Sequence, residues 1–215
     1  MSKHIKIAID GPAGSGKSTV AKIIAEKLNI EYIDSGAIYR AITKNILDSN
    51  IKIDNYSQIE NLLSKISIKL IKGKVLINNK DYTKYLRGKE VSLAVSPVSS
   101  IIAVRKKVNF FLNSYSEGKS VIMDGRDIGT VVFPDADYKF YMDASIEIRA
   151  ERRFNEKTLD LSLEKIKIEI KKRDENDKNK EFGALKIAKD AFYINTTDCS
   201  INEVVDTILN KIGKN

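Results

Sequence analysis

The chain has 215 residues, with 37 Lys/Arg against 29 Asp/Glu and a formal net charge of +8. At about 150 residues per domain this is one domain with room for insertions, and no apolar run approaches the roughly 18 residues of a membrane helix. A single cysteine, Cys199, and a single histidine, His4, exclude an intramolecular disulfide, a cysteine zinc cluster and a multi-His site, and disfavour a Ser-His triad or Cys-His dyad.

Residues 5–9 (Ile-Lys-Ile-Ala-Ile) predict a buried first strand ending at Asp10. A Gly-rich turn follows, then a helix over 17–28 with an apolar stripe at Val20, Ile23, Ile24 and Leu28. Residues 31–33 predict a second strand and 37–47 a second helix. Residues 66–71 and 74–77 flank Lys72-Gly73 as a hairpin, and Asn78-Asn79 is a further turn signal. Pro97 precedes an expected helix over 98–115, closed by Gly118. Residues 120–124 and 138–142 predict buried strands, 145–155 and 161–176 charged helices, and 191–195 a last strand. Ser200 is the expected N-cap of a terminal helix reaching Ile212. Strands alternating with helices indicate an α/β fold with a parallel sheet. The irregular stretch 52–97 reads as an insertion, because the alternation resumes after it.

The basic balance points to anionic partners, nucleic acid or phosphorylated small molecules. Residues 149–189 carry 13 Lys/Arg and 9 Asp/Glu, a net +4. Mixed signs on helical faces suit a solvated surface better than a nucleic-acid arm. The first residues hold no secretory signal, and the expected location is a reducing cytoplasm.

The chemistry is concentrated in Gly11-Pro12-Ala13-Gly14-Ser15-Gly16-Lys17-Ser18, with Thr19 behind it. It matches G-x-x-x-x-G-K-[ST], and it sits between a strand and a helix as the mechanism requires. Glycines let successive backbone N–H groups wrap the phosphates of a nucleoside triphosphate, and the helix N-terminus adds positive charge. Lys17 bridges phosphate oxygens, and Ser18 offers its hydroxyl to Mg²⁺. A regulatory GTPase would need D-x-x-G, and no Asp has Gly three residues on. A nucleic-acid motor would need a second ATP-site element that the chain does not display. A kinase of small acceptors needs an acceptor pocket and mobile arginines, and candidates for both are present.

Three more segments stand out: Asp34-Ser-Gly-Ala-Ile-Tyr-Arg40, Asp124-Gly-Arg-Asp-Ile-Gly-Thr-Val-Val-Phe-Pro134 and Arg173-Asp-Glu-Asn-Asp177. With the Gly-rich loop and Ser96-Pro-Val-Ser-Ser-Ile-Ile-Ala-Val-Arg105, they make the chain resemble bacterial cytidylate kinase over essentially its whole length. The resemblance implies a five-stranded parallel sheet of order 2-3-1-4-5 in one domain. Its core would span 1–51, 98–148 and 190–215, with a monophosphate-binding insertion over about 52–97 and a lid over about 149–189. It implies transfer of a phosphoryl group from ATP, with Mg²⁺, to CMP or dCMP, by a cytoplasmic monomer without nucleic-acid or membrane partners. The alternatives are a UMP kinase and a basic nucleic-acid-binding ATPase.

Residue by residue, the resemblance makes Lys17, Arg126 and Arg173 the catalytic charges. Ser35, Arg40 and Arg126 would hold the acceptor phosphate, which arginine grips bidentately. Ser96, Arg105 and Asp127 would read cytosine, with the Asp127 carboxylate accepting from the N4 amine. The plain alternatives are an Arg126 or magnesium-shell role for Asp127, and a helix-surface run Arg105-Lys106-Lys107. Asp177 would bind the pentose hydroxyls beside Arg173. Lys180 stands where the family commonly has arginine. Arg149, Arg152 and Arg153 fall where the lid begins, and one or more of them, Arg149 and Arg153 first, would meet ATP phosphates, or else they line a solvated helix face. Asp34 and Asp124 would hold magnesium waters, or cap turns.

Overall fold

The computed structural model describes residues 4–156 and 161–213. In chain order the elements are β1 (Lys6–Asp10), α1 (Lys17–Leu28), β2 (Glu31–Asp34), α2 (Ser35–Asp48), α3 (Tyr56–Lys65), β3 (Ile68–Ile71), β4 (Lys74–Ile77), β5 (Lys80–Asp81), a 3₁₀ turn (Thr83–Tyr85), α4 (Lys89–Val98) and α5 (Ile102–Tyr115). There follow β6 (Val121–Gly125), a π-helical turn (Ile128–Val132), β7 (Tyr138–Asp143), α6 (Ile146–Asn155), α7 (Leu163–Lys178), β8 (Phe192–Asn195) and α8 (Ile201–Ile212). Two compact units result, Met1–Asp34 with Ser116–Asn215, and Ser35–Tyr115.

The first unit holds a parallel sheet of order β2-β6-β1-β7-β8. Counted among these five strands alone, the order is 2-3-1-4-5, as the resemblance implied. β1 lies in the middle, with Ile9 opposite Asp124 on one side and Phe140 on the other. A central parallel strand is covered on both faces and therefore reads as a continuous apolar run. Ile7, Ala8 and Ile9 are fully buried. They pack with Val20, Ile24, Phe140, Met142, Ile194, Val204 and Ile208, which draws α1 and α8 onto the sheet. Ser200 caps α8, and a reciprocal capping box with Glu203 satisfies two end donors. The lid expected over about 149–189 begins within α6 and continues through α7. Residues 157–160 of it lie outside the described residues.

The second unit holds an antiparallel sheet of order β3-β4-β5. Lys72 (φ 49°) and Gly73 (φ 76°) form the first turn, and Asn78 (φ 50°) and Asn79 (φ 66°) the second. Two successive left-handed residues match the right-handed strand twist, so both dipeptides close tight hairpins. α2 buries Ile38, Ala41, Ile42 and Ile46 against α4, α5 and β4.

Two expectations need correction here. The stretch 52–97 is largely regular, holding α3, three strands and α4. Pro97 also does not precede the long helix but lies inside the last turn of α4. Its ring forfeits a bond to the Leu93 carbonyl, and Leu93 is exposed enough for water to replace it. The chain breaks at residues 99–101 and restarts as α5, and the Ser99 carbonyl at the break accepts from Arg105 Nη1 at 3.0 Å.

Ile24→Ala should cost about 2–5 kcal/mol of stability, since this fully buried side chain leaves a cavity against β1 and β7. Ile168→Ala, 63% exposed on α7, should change it by less than about 0.5 kcal/mol. Urea unfolding of both variants checks the contrast.

Candidate active site

The Gly-rich loop leaves β1 at its carboxyl end, the edge where open α/β sheets bind ligands. Gly11 adopts φ 149°, and a Cβ there would lie 1.9 Å from the Met142 carbonyl oxygen. Gly14 (φ 78°) has the Arg149 carbonyl 2.9 Å from the same position. The loop can therefore fold only with glycine at both places. Gly16 ends it as the N-cap of α1, with no side chain capping the helix. The first amides of α1 thus remain available to an anion.

Lys17 is buried and bends back over the loop. Its Nζ donates to the Pro12 carbonyl at 2.6 Å and to Ser15 Oγ at 3.0 Å. Burial pushes its pKa down to about 7, with Arg126 adding to the effect and Asp124 and Asp10 opposing it. A phosphate group would supply the missing negative charge.

Ser18 Oγ donates to Asp124 Oδ2 at 2.7 Å, and Tyr32 Oη donates to Oδ1 at 2.7 Å. Burial and the nearby Asp34 push the Asp124 carboxyl up. The sequence reading missed Tyr32. Its only signal was a hydrophilic tip in β2, at the position paired with Ile122. The hydroxyl and carboxylate oxygens of Ser18 and Asp124, with Asp34 close by, fit a hard cation such as Mg²⁺, which prefers oxygen donors.

Asp177 is the charge hub of α7. Its Oδ2 accepts from Arg126 Nε at 2.8 Å and lies 3.9 Å from Arg173 Nε, and its Oδ1 accepts from Lys180 Nζ at 2.7 Å. Burial would raise its pKa, but Arg126, Lys180 and Arg173 outweigh burial and hold it well below the usual carboxylate range. Arg126 is itself partly desolvated, yet Asp177 keeps its pKa above the ordinary value. So Arg126, Arg173, Asp177 and Lys180 converge, and Asp177 is the carboxylate that Arg126 bonds.

The arginines of α6 diverge. Arg149 Nη1 donates to the Ala13 carbonyl of the loop at 3.2 Å and to Asp174 Oδ2 at 2.6 Å. Arg152 donates to the carbonyl and hydroxyl of Thr196, and Thr196 Oγ1 donates to the Ser15 carbonyl at 3.3 Å. Arg153 instead pairs with Glu156, the residue that caps the end of α6. Thr196 and Asp174 were not legible, because their role comes from loops 180 residues or more away or from a neighbouring helix.

In the second unit, Ser35 and Arg40 lie on the first half of α2, Ser35 buried and Arg40 half-buried. Arg105 is only 2% exposed and stacks 5.4 Å from the Tyr39 ring centroid, while Lys106 beside it is exposed. The surface-run alternative for Arg105 therefore fails. Ser96 Oγ is buried and has no hydrogen-bond partner among the described residues, which leaves it available to a ligand. Asp127 is buried at the start of the π-helical turn of the first unit.

Among the described residues, no helix is long and apolar enough to cross a membrane. The family model described as cytidylate kinase matches residues 7–214. The chain is 45% identical over 214 residues to a cytidylate kinase of Halalkalibacterium halodurans, covering 96% of each chain. It is 43% identical over 217 residues to one of Carboxydothermus hydrogenoformans, covering 98% of each. Among solved structures it resembles a gluconokinase from Sinorhizobium meliloti (TM-score 0.54, 13% identity, 98% and 92% covered). It also resembles a shikimate kinase from Acinetobacter baumannii in complex with shikimate (TM-score 0.50, 17% identity, 98% and 94% covered). At such identities these two structures establish the fold alone.

Asp177→Asn should cost about 3–5 kcal/mol near neutral pH, because it leaves buried cations without their charge partner. The carboxylate's depressed pKa makes its contribution full above the ordinary value of 3.8 and lost as pH falls below it. The stability gap between wild type and variant should therefore narrow in strong acid. Denaturant titrations at neutral and acidic pH check this.

Proposed function

This chain belongs to the cytidylate kinase family and is a phosphotransferase, and we propose that it moves the γ-phosphoryl group of ATP to CMP and dCMP, giving ADP with CDP or dCDP. The observation that carries the reading is an intact phosphate-binding loop, with Lys17 and Ser18 in place, inside a chain that matches the family from residue 7 to residue 214.

The transfer is direct and in line, with no covalent enzyme intermediate. There is little bond chemistry for the protein to perform, so it acts by positioning and by neutralising charge. Residues Gly11 to Thr19 hold the ATP phosphates through backbone amides and the Lys17 ammonium. On nucleotide binding, Lys17 exchanges its Pro12 and Ser15 acceptors for phosphate oxygens and recovers a firm positive charge. Arg149 fixes the loop from behind through the Ala13 carbonyl, and Arg153 of α6 is assigned to the ATP phosphates. Magnesium, when bound, supplies positive charge to the phosphate oxygens. Ser18 would hold it directly, with Asp124 and Asp34 acting through water.

On the acceptor side, Ser35, Arg40 and Arg126 are assigned to the CMP phosphate. Ser96, Arg105 and Asp127 are assigned to the base, and Arg173 and Asp177 to the pentose. The buried Ser96 hydroxyl and the buried, donor-rich Arg105 support the base assignment. A cytosine N4 amine suits a carboxylate, whereas the uracil O4 would face it acceptor to acceptor. The protein is assigned to the cytoplasm, as a single-domain monomer without nucleic-acid or membrane partners.

The direct test is ADP production from ATP and Mg²⁺ against CMP, dCMP, UMP, AMP, GMP and dTMP. CMP and dCMP should be the best acceptors, and preference for any other acceptor would sink the reading. Lys17→Ala should nearly abolish turnover in a folded protein. Asp127→Asn should lower CMP efficiency about tenfold or more, for one charged hydrogen bond lost. UMP efficiency should fall less or rise, since an amide can donate to O4. Steady-state kinetics with both acceptors at saturating ATP checks the ratio, and equal losses would show that Asp127 does not read the base.

A further inference from the structure

Asp10 is buried at the end of β1, one residue before the phosphate-binding loop. Its backbone is fixed on both sides by the sheet, opposite Gly125 in β6 and Tyr141 in β7. Its carboxylate accepts two backbone bonds, from Ile128 N at 2.8 Å and Gly129 N at 2.7 Å. Those amides belong to the first turn of the π-helical segment, directly after Arg126 and Asp127. The first amides of a helical turn have no partner within it, and an anion held by two of them is fixed in direction as well as distance.

The packing leaves no slack. A Cβ on Gly129 would lie 3.2 Å from Lys139 Cδ and 3.4 Å from Asp10 Oδ2. The charges facing the carboxylate are Lys17, which attracts it, and Asp127, which repels it. The Lys139 stem passes nearby, but its ammonium is taken by Asp190 and the Pro134 carbonyl. Burial pushes the Asp10 carboxyl up to about 7, with the two amides and Lys17 working against burial. What fixes the contact is geometry: both Asp10 oxygens are engaged by amides of the segment that carries two acceptor-side groups, one residue before the loop that would bind the ATP phosphates.

We propose that Asp10 is a positioning residue, which through the Ile128 and Gly129 amides sets where Arg126 and Asp127 stand relative to the phosphate-binding loop. The inference rests on the reading of Arg126 and Asp127 as CMP-binding groups. One side chain thereby links the root of the donor site to the root of the acceptor loop, 118 and 119 residues apart in sequence.

Asp10→Asn keeps the shape, loses the charge and turns an amino group toward one of the two amides. ADP affinity, measured by calorimetry without acceptor, should stay within about threefold, because the loop glycines and Lys17 are intact. Catalytic efficiency for CMP should fall roughly 10–100-fold, for the loss of one charged hydrogen bond. Amide exchange at Ile128 and Gly129 should accelerate by a similar factor. A folded variant with a lowered melting temperature but unchanged CMP efficiency would overturn the proposal and leave Asp10 a structural residue. Should the variant not fold, the wild-type protein decides. ADP alone should slow exchange at Ile128 and Gly129, and no change on ADP binding would overturn the link. A wild-type protein that does not phosphorylate CMP would sink the functional reading instead, and the exchange measurement would still judge Asp10.

Discussion

At the carboxyl end of β1 the backbone must turn where no side chain can follow. A Cβ on Gly11 would fall 1.9 Å from the Met142 carbonyl oxygen of β7, and one on Gly14 would fall 2.9 Å from the Arg149 carbonyl oxygen of α6. Both contacts are to backbone, which cannot move aside as a flexible side chain could. The loop amides are therefore aimed by the sheet and by α6. The helix start behind them has no side-chain cap to compete with an incoming phosphate. The rest of the first unit is arranged around this turn: α1 leaves from it, β7 and α6 wall it, and Thr196 and Arg149 bond its carbonyls.

A second constraint is the amount of charge that the fold keeps out of water around that loop. Asp10, Lys17, Asp124, Arg149 and Asp177 are all buried. Isolated, each would be expensive, and in proteins such groups either pair or shift their pKa. Both outcomes occur here. Asp177 is surrounded by three cations and stays firmly ionised, whereas Lys17 is drawn toward neutrality while no phosphate is near. Asp124 sits between these extremes, with two hydroxyl donors and a neighbouring carboxylate. A site poised in this way gains most when an anion with its counter-cation arrives, which is the charge pattern of a magnesium-nucleotide.

The groups proposed for the acceptor side depend less on single turns than on burial. Arg105 illustrates this. Its neighbours Lys106 and Lys107 make it look like part of a charged helix face. Yet its position on α5 turns it inward onto Tyr39 and the Ser99 carbonyl. The same break between α4 and α5 that admits this bond also places Pro97 inside a helix. Local rules for proline give way where one lost carbonyl bond can be made to water and an interior arginine needs an acceptor.

The sequence by itself determined the elements whose signals are local. An apolar run followed by the glycines and Lys17 specified strand, loop and helix, and Lys72-Gly73 specified a hairpin. Ser200, with Glu203 three residues on, specified a helix start. The alternation of strands and helices specified a parallel sheet, and the resemblance of the quoted segments supplied its order and the residues to examine. Only the tertiary structure decided the pairings made across the sheet. Asp10 with the amides of Ile128 and Gly129, Tyr32 with Asp124, Arg152 with Thr196, and Arg126 with Asp177 each join residues at least 44 positions apart. Such pairs carry no periodicity and no spacing. They arise because the parallel strands, the turns that follow them and the helices α6 and α7 are brought within hydrogen-bond reach of one another only when the chain has folded. Whether an acid or an arginine there is a solvated surface group or a buried, shifted one depends on what the rest of the chain packs over it.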